Sequence, residues 1–187
     1  MKATGIVRRM DDLGRVVIPK EIRRTMRMKE GDPLEIYVDR EGEVILKKYS
    51  PMISLSDFSS EIAEALSHTL KTIVLISDRD TVVAVGGGSK QDYLHRGVGT
   101  IVENAMEERR TMVANRIYDE KDSRYFALLE GNGMELISCF CIAPILPGGD
   151  VIGSVIILSE DRHMSMGEME QKLAETAAGF LARQLEH

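Results

Sequence analysis

The sequence has no tryptophan, only two cysteines, and aromatic side chains at 5% of its 187 residues. So few cysteines exclude a disulfide-stapled secreted scaffold. Cys139 and Cys141 lie two apart in an apolar run, on one face of an expected strand, where an ordinary disulfide is too constrained and small buried residues are the plainer reading. No apolar run comes near the roughly 18 residues a membrane helix needs. Met1-Lys2-Ala3-Thr4 leads into charged residues rather than the apolar stretch of a secretory leader, so the chain is expected in the cytoplasm with no membrane partner. Catalytic constellations are missing too. His68, His95 and His163 are scattered, no His-x-x-x-His or Cys-His spacing occurs, and two cysteines make no zinc site, so neither enzyme, metal nor cofactor is expected.

What is present is an uneven distribution of charge. Residues 1–50 carry 12 Lys+Arg against 9 Asp+Glu, whereas residues 51–187 carry 12 against 21, and the overall net charge of −6 conceals the contrast. Within residues 1–29 there are 9 basic and 3 acidic side chains, the bias of a surface that meets phosphate. A solvated charged face is the ordinary reading of a basic run. Guanidinium forks, however, bind phosphate bidentately and also pair with guanine edges. Asp11, Asp12 and Glu21 are available to pair with some of the arginines.

Periodicity outlines two regions. In the first, Asp11-Asp12-Leu13-Gly14 reads as a turn between two short strands, the second being Arg15-Val16-Val17-Ile18. Pro19 then opens a short helix to Arg27, with Ile22 and Met26 on one face and Arg23, Arg24 and Arg27 on the other. Leu34, Ile36 and Val38, then Val44 and Leu46, alternate on either side of Glu41-Gly42 as a hairpin. About fifty residues with so few large apolar side chains cannot bury a sufficient core alone, so dimerisation is expected.

The second region opens with a helix capped by Ser54-Leu55-Ser56-Asp57 and striped by Phe58, Ile62, Leu66 and Leu70, a stripe that fits core packing and subunit contact equally. Strands are expected at Ile73–Ile76 and Val82–Val85, a helical stretch from Lys90 to Arg110, an apolar hairpin of Leu136–Ile145 and Val151–Leu158, and a last helix capped by Ser165-Met166-Gly167-Glu168 with Met169, Leu173, Ala177, Phe180 and Leu181 as its stripe. No internal repeat is visible. Gly86-Gly87-Gly88-Ser89-Lys90 could cradle an anion but lacks P-loop spacing, and a plain turn with Ser89 as N-cap is favoured. Leu185-Glu186-His187 is read as a tag remnant.

The run TGIVRRMDDLGRVVIPKEIRRTM, continuing to GDPLEIYVDREGEVILKKY, closely resembles the AbrB-like family of bacterial transition-state regulators. That resemblance implies a swapped-hairpin barrel formed by two chains, with Arg8, Arg15, Arg23 and Arg24 at the DNA-contacting positions and Lys2, Arg9, Lys20 and Arg27 as weaker additions. The whole chain resembles the two-domain members of that family, whose second half is similar to a GAF domain. The expected architecture is then two domains: residues 1–50 a dimeric β swapped-hairpin barrel binding double-stranded DNA, 51–71 a connecting helix, and 72–185 a GAF-like α+β domain, an antiparallel sheet with helices. The same resemblance implies a regulator of genes in the developing spore, activating and repressing, tetrameric through helices flanking the GAF-like domain.

A GAF-like domain implies a small-molecule effector, unidentified, between sheet and helices. Asn115–Asn132 would serve as its lid, and Tyr118, Arg124 and Tyr125 as candidate lid residues. Two other classes compete. An antitoxin shares the barrel but carries a disordered tail, unlike the patterned second region here. An enzyme on the second domain lacks any acid, base or nucleophile set.

Overall fold

A computed structural model describes residues 5–117, 128–131 and 137–186. The chain divides into two compact units, Met1–Tyr49 and Ser50–His187.

In the first unit a turn at residues 11–14 leads through an extended segment into helix α1 (Lys20–Thr25), followed by strands β1 (Leu34–Val38) and β2 (Val44–Lys48). β1 and β2 pair antiparallel from Leu34↔Lys48 to Val38↔Val44, the expected hairpin. Pro19 is the N-cap of α1 rather than its first helical residue, and the helix stops two residues short of Arg27. Its end is a Schellman turn: the Met28 N–H donates to the Arg23 carbonyl at 2.7 Å and the Arg27 N–H to Arg24 at 3.2 Å. Arg27 holds the left-handed position there, at φ +51°, where glycine is usual. Among the described residues the expected strands on either side of Asp11–Gly14 do not form a ladder in the single chain, where Val7, Val16 and Val17 are all exposed. Ile22 is only half-buried and Met26 exposed, so the apolar face expected of α1 finds no core in its own chain either.

The second unit is a five-stranded antiparallel sheet, order β4-β3-β7-β6-β5, built from β3 (Ile73–Asp78), β4 (Val82–Gly86), β5 (Met112–Asn115), β6 (Cys139–Ile145) and β7 (Gly153–Ser159). The period of two divides its side chains between two cores. Val74, Ile76, Cys139, Cys141, Val155 and Ile157 face one. Leu75, Phe140, Ile142, Ile156 and Leu158 face the other. Helices α2 (Ser56–Leu70) and α5 (Glu168–Gln184) cover the first, and α4 (Thr100–Glu107) the second.

The helix expected as a connector, α2, therefore packs on the sheet of the second unit. Its buried residues are Ser59, Ala63, Ser67 and Leu70; of the expected stripe Leu70 joins the core, Ile62 and Leu66 pack against it half-buried, and Phe58 alone is exposed. The small residues enter because α2 crosses β4 at Gly86 and Gly87: a Cβ on Gly86 would stand 2.1 Å from the Ala63 carbonyl oxygen, and one on Gly87 2.0 Å from Ser67 Oγ. Phe58 is left on the flank, meeting Phe180 of α5 edge-on at 6.2 Å.

Other expectations shift. The Lys90–Arg110 helix is two helices, α3 (Lys90–Tyr93) and α4, parted where His95 turns left-handed at φ +64° and Gly97 bridges back to Thr81. Neither capping box forms as expected. Ser54 Oγ donates to the Pro51 carbonyl inside a short 3-10 turn, and the N-cap of α2 is Leu55. At α5 the N-cap is Gly167, which has no side chain, and only the return half exists, the Gly167 N–H donating to Glu170 Oε2 at 2.7 Å. Met169 and Phe180 of its expected stripe are exposed. Leu185 packs against the core and Glu186 accepts a bond from the Gly148 N–H, so the residues read as a tag remnant join the fold as far as Glu186. No helix among the described residues is long and apolar enough to cross a membrane.

Candidate nucleic-acid interface

Of residues 5–49, only Pro19 is buried. Val7 is 85% exposed, Val17 73% and Val38 72%, alongside Leu13, Ile36 and Val44. A folded monomer rarely leaves so dense an apolar set in water. On the same unit the cationic side chains stand in solvent. Arg8 and Arg9 precede the turn, Arg15 follows it, and Lys20, Arg23 and Arg24 lie on α1, all of them exposed. Among the described residues, the side chains of Arg8, Arg9, Arg23 and Arg24 make no hydrogen bond or ion pair. Lys2 lies outside the described residues.

Arg15 is brought to a partner. Its Nε donates to Asp11 Oδ2 at 2.7 Å, and its backbone N–H to Asp11 Oδ1 at 2.8 Å. The Arg15 amide, and next its guanidinium, hold the Asp11 carboxyl below its ordinary range. Asp12 and Glu21, the other acids expected to pair, make no ion pair among the described residues.

A second cluster escaped sequence reading. Lys48 Nζ donates to the Arg27 carbonyl at 3.0 Å and pairs with Asp32 Oδ2 at 3.2 Å, which also accepts the Lys29 N–H at 2.8 Å. Lys48 thereby ties the end of the arginine helix to the hairpin. Nothing in its sequence neighbourhood, one lysine of a Lys-Lys pair ending a strand, separates it from a solvent-facing cation.

In the second unit, Cys139 and Cys141 are free and buried, and burial pushes the Cys141 thiol up to about 12, so neither is poised as a thiolate. The Gly86-Gly87 pair is explained by the approach of α2, and Ser89 caps α3 by position without a side-chain bond. His68, His95 and His163 lie exposed on α2, in the α3–α4 loop and before α5, and no cluster of three metal-ligating side chains forms among the described residues. A cleft of about 480 Å³ opens at the start of α4, lined by Val98, Gly99, Thr100, Glu103, Leu129, Glu130 and Gly131. The outer parts of the expected lid, Asn115–Ile117 and Leu128–Gly131, are described, whereas Tyr118, Arg124 and Tyr125 lie outside the described residues.

Comparison with known proteins places both units. The family model described as "Stage V sporulation protein T C-terminal, transcription factor" matches residues 54–186, and "Antidote-toxin recognition MazE, bacterial antitoxin" matches residues 7–54. Stage V sporulation protein T of Bacillus subtilis is 54% identical over 186 residues, 100% of this chain and 99% of the relative. Transition state regulatory protein AbrB of the same organism is 67% identical over 51 residues, 27% of this chain and 52% of the relative. A GAF domain from an Acinetobacter phosphoenolpyruvate-protein phosphotransferase shares the fold of the second unit, with a TM-score of 0.60 over 75% of this chain and 85% of that one at 16% identity.

Proposed function

The chain belongs to the stage V sporulation protein T family, and from that premise we propose that it is a transcription regulator of sporulation genes, activating some and repressing others, whose first unit grips double-stranded DNA as a dimer through Arg8, Arg15, Arg23 and Arg24. Lys2, Arg9, Lys20 and Arg27 add weaker contacts. One observation carries the reading: a single unit exposes its arginines and its apolar side chains together, with only Pro19 buried among residues 5–49. A second copy supplies the missing core and doubles the cationic surface. The domain limits in this reading are residues 1–50 for DNA, 51–71 for the helix that leads on, and 72–185 for regulation.

The second unit senses an effector, assembles dimers, or both. The cleft at the start of α4 has the size of a small-molecule site. The exposed Phe58–Phe180 pair on α2 and α5 is the face on which two dimers meet as a homotetramer. Such a regulator works in the cytoplasm, on the nucleoid of the developing spore. The antitoxin reading draws on the match of residues 7–54, but it expects a disordered tail after the barrel, where this chain continues into a sheet buried on both faces.

The test is a fluorescence-anisotropy titration of labelled sporulation-promoter DNA with the full chain and its Arg23→Ala/Arg24→Ala variant. Removing four charge-assisted contacts per dimer is expected to weaken binding at least about a hundredfold. Equal binding by the folded variant would reject the arginine assignment.

A further inference from the structure

The first unit contains the same turn twice. At Asp11-Asp12-Leu13-Gly14-Arg15, the Asp11 N–H donates to the Arg15 carbonyl at 3.0 Å and the Gly14 N–H to the Asp11 carbonyl at 3.1 Å. Asp11 Oδ1 meanwhile accepts the N–H of Leu13 at 3.0 Å and of Arg15 at 2.8 Å. At Asp39-Arg40-Glu41-Gly42-Glu43, the Asp39 N–H donates to the Glu43 carbonyl at 3.1 Å and the Gly42 N–H to the Asp39 carbonyl at 3.4 Å. Asp39 Oδ1 accepts the N–H of Glu41 and of Glu43, both at 2.9 Å. Gly14 and Gly42 take the left-handed position, at φ +76° and +84°. Both are three-residue hairpin loops closed by an aspartate.

The turns differ at the second carboxylate oxygen. Asp39 Oδ2 holds nothing among the described residues, since the fifth residue is Glu43. Asp11 Oδ2 holds Arg15 Nε at 2.7 Å. The Asp39 turn shows that one oxygen suffices to organise this backbone, so the bond from Asp11 Oδ2 is spent on the arginine side chain rather than on the loop. A guanidinium offers five N–H donors in a fixed plane, and a carboxylate that takes Nε from the side leaves the terminal pair, Nη1 and Nη2, facing outward. That end-on pair is the one that meets a phosphate or the O6 and N7 of guanine. The Arg15 side chain remains 70% exposed while held in this way. Arginine otherwise loses much rotamer freedom on binding, and a side chain already fixed loses less.

We propose that Asp11 is a positioning residue for DNA binding, acting through Arg15: its Oδ2 fixes the guanidinium by Nε so that the two terminal amino groups are presented to the duplex. This rests on the reading of Arg15 as a DNA contact. The opposite role for Asp11, masking the charge of Arg15, gives an effect of opposite sign.

Asp→Asn separates the two roles, because asparagine keeps the Oδ1 acceptor and is itself favoured in such turns, but replaces Oδ2 with an N–H₂ group that cannot accept from Nε. The experiment compares full-length wild type, Asp11→Asn, Asp39→Asn, Arg15→Ala and the Asp11→Asn/Arg15→Ala double variant. Each is titrated against a labelled sporulation-promoter duplex that the wild type binds, with thermal unfolding alongside. Losing one charge-assisted bond is expected to weaken binding by Asp11→Asn about tenfold. Asp39→Asn should bind as wild type, both turn variants should unfold at the wild-type temperature, and the double variant should bind no worse than Arg15→Ala alone. Equal or tighter binding by Asp11→Asn, with Arg15→Ala weakened, would overturn the positioning role and leave the arginine reading standing. Losses that simply add in the double variant would also overturn it. Arg15→Ala binding as wild type would overturn both.

Discussion

The two units solve the burial problem in opposite ways. In the second, every residue of β6 and β7 is buried, and helices close both faces of the sheet within one chain. In the first, a hairpin, a turn and a six-residue helix bury only Pro19. The second unit therefore encodes its own core. The first does not, and in the proposed reading its surface has two tasks, to meet a second copy through valines and leucine and to meet DNA through arginines. A small unit that must present many cations close together gains by sharing its core between two chains, since arginines from both then line one surface.

Substitutions sharpen this contrast, beginning with the largest effect. Phe140→Ala, at the centre of a core closed within one chain, should cost about 3–5 kcal/mol in urea unfolding of the second unit and leave DNA affinity of the still-folded protein unchanged. Gly86→Ala should cost roughly 1–3 kcal/mol in the same unit, because its Cβ would collide with the backbone of α2. In the first unit, Lys48→Met removes the bond to the Arg27 carbonyl and the pair with Asp32, a carboxylate whose side chain is only 9% exposed. A loss of about 1–3 kcal/mol is expected, read as a lower unfolding midpoint that rises with chain concentration, as a shared core requires. Arg27→Gly has the smallest expected effect and the opposite sign. It relieves the left-handed arginine and should stabilise the first unit by up to about 1 kcal/mol, while a modest loss of DNA affinity would mark Arg27 as one of the weaker contacts.

Legibility in the sequence follows the same division. Where periodicity reports burial within one chain, the reading was close: the strands β3, β4 and β7 and helix α5 stand near their expected places. The hairpin about Gly42 does too, although its Ile36, Val38 and Val44 stay exposed in the single chain. Where structure depends on a close approach or on a single backbone angle, pattern was a poor guide. The Phe58, Ile62, Leu66 and Leu70 stripe fitted core packing and subunit contact equally; Leu70 enters the core and Phe58 stays exposed, while the close approach of Gly86 and Gly87 adds the small residues Ser59, Ala63 and Ser67, which no stripe of large side chains announces. Polar spacing from Lys90 to Arg110 resembled one helix until the left-handed His95 broke it. The arginines stood out because cationic residues carry their chemistry in their type. Lys48 did not, and Asp11 stood out only as one of three acids available to an arginine, because what distinguishes them is which atom of a neighbour they hold.

The central claim, that the arginines of a paired first unit make the DNA contact, is most directly tested by the salt dependence of binding by the full chain. Eight arginines per dimer on phosphates would give a log–log slope of roughly −7, an upper limit in magnitude, falling to about −4 when Arg23 and Arg24 are replaced by alanine. A wild-type affinity indifferent to salt, or a slope unchanged by the double substitution, would contradict it.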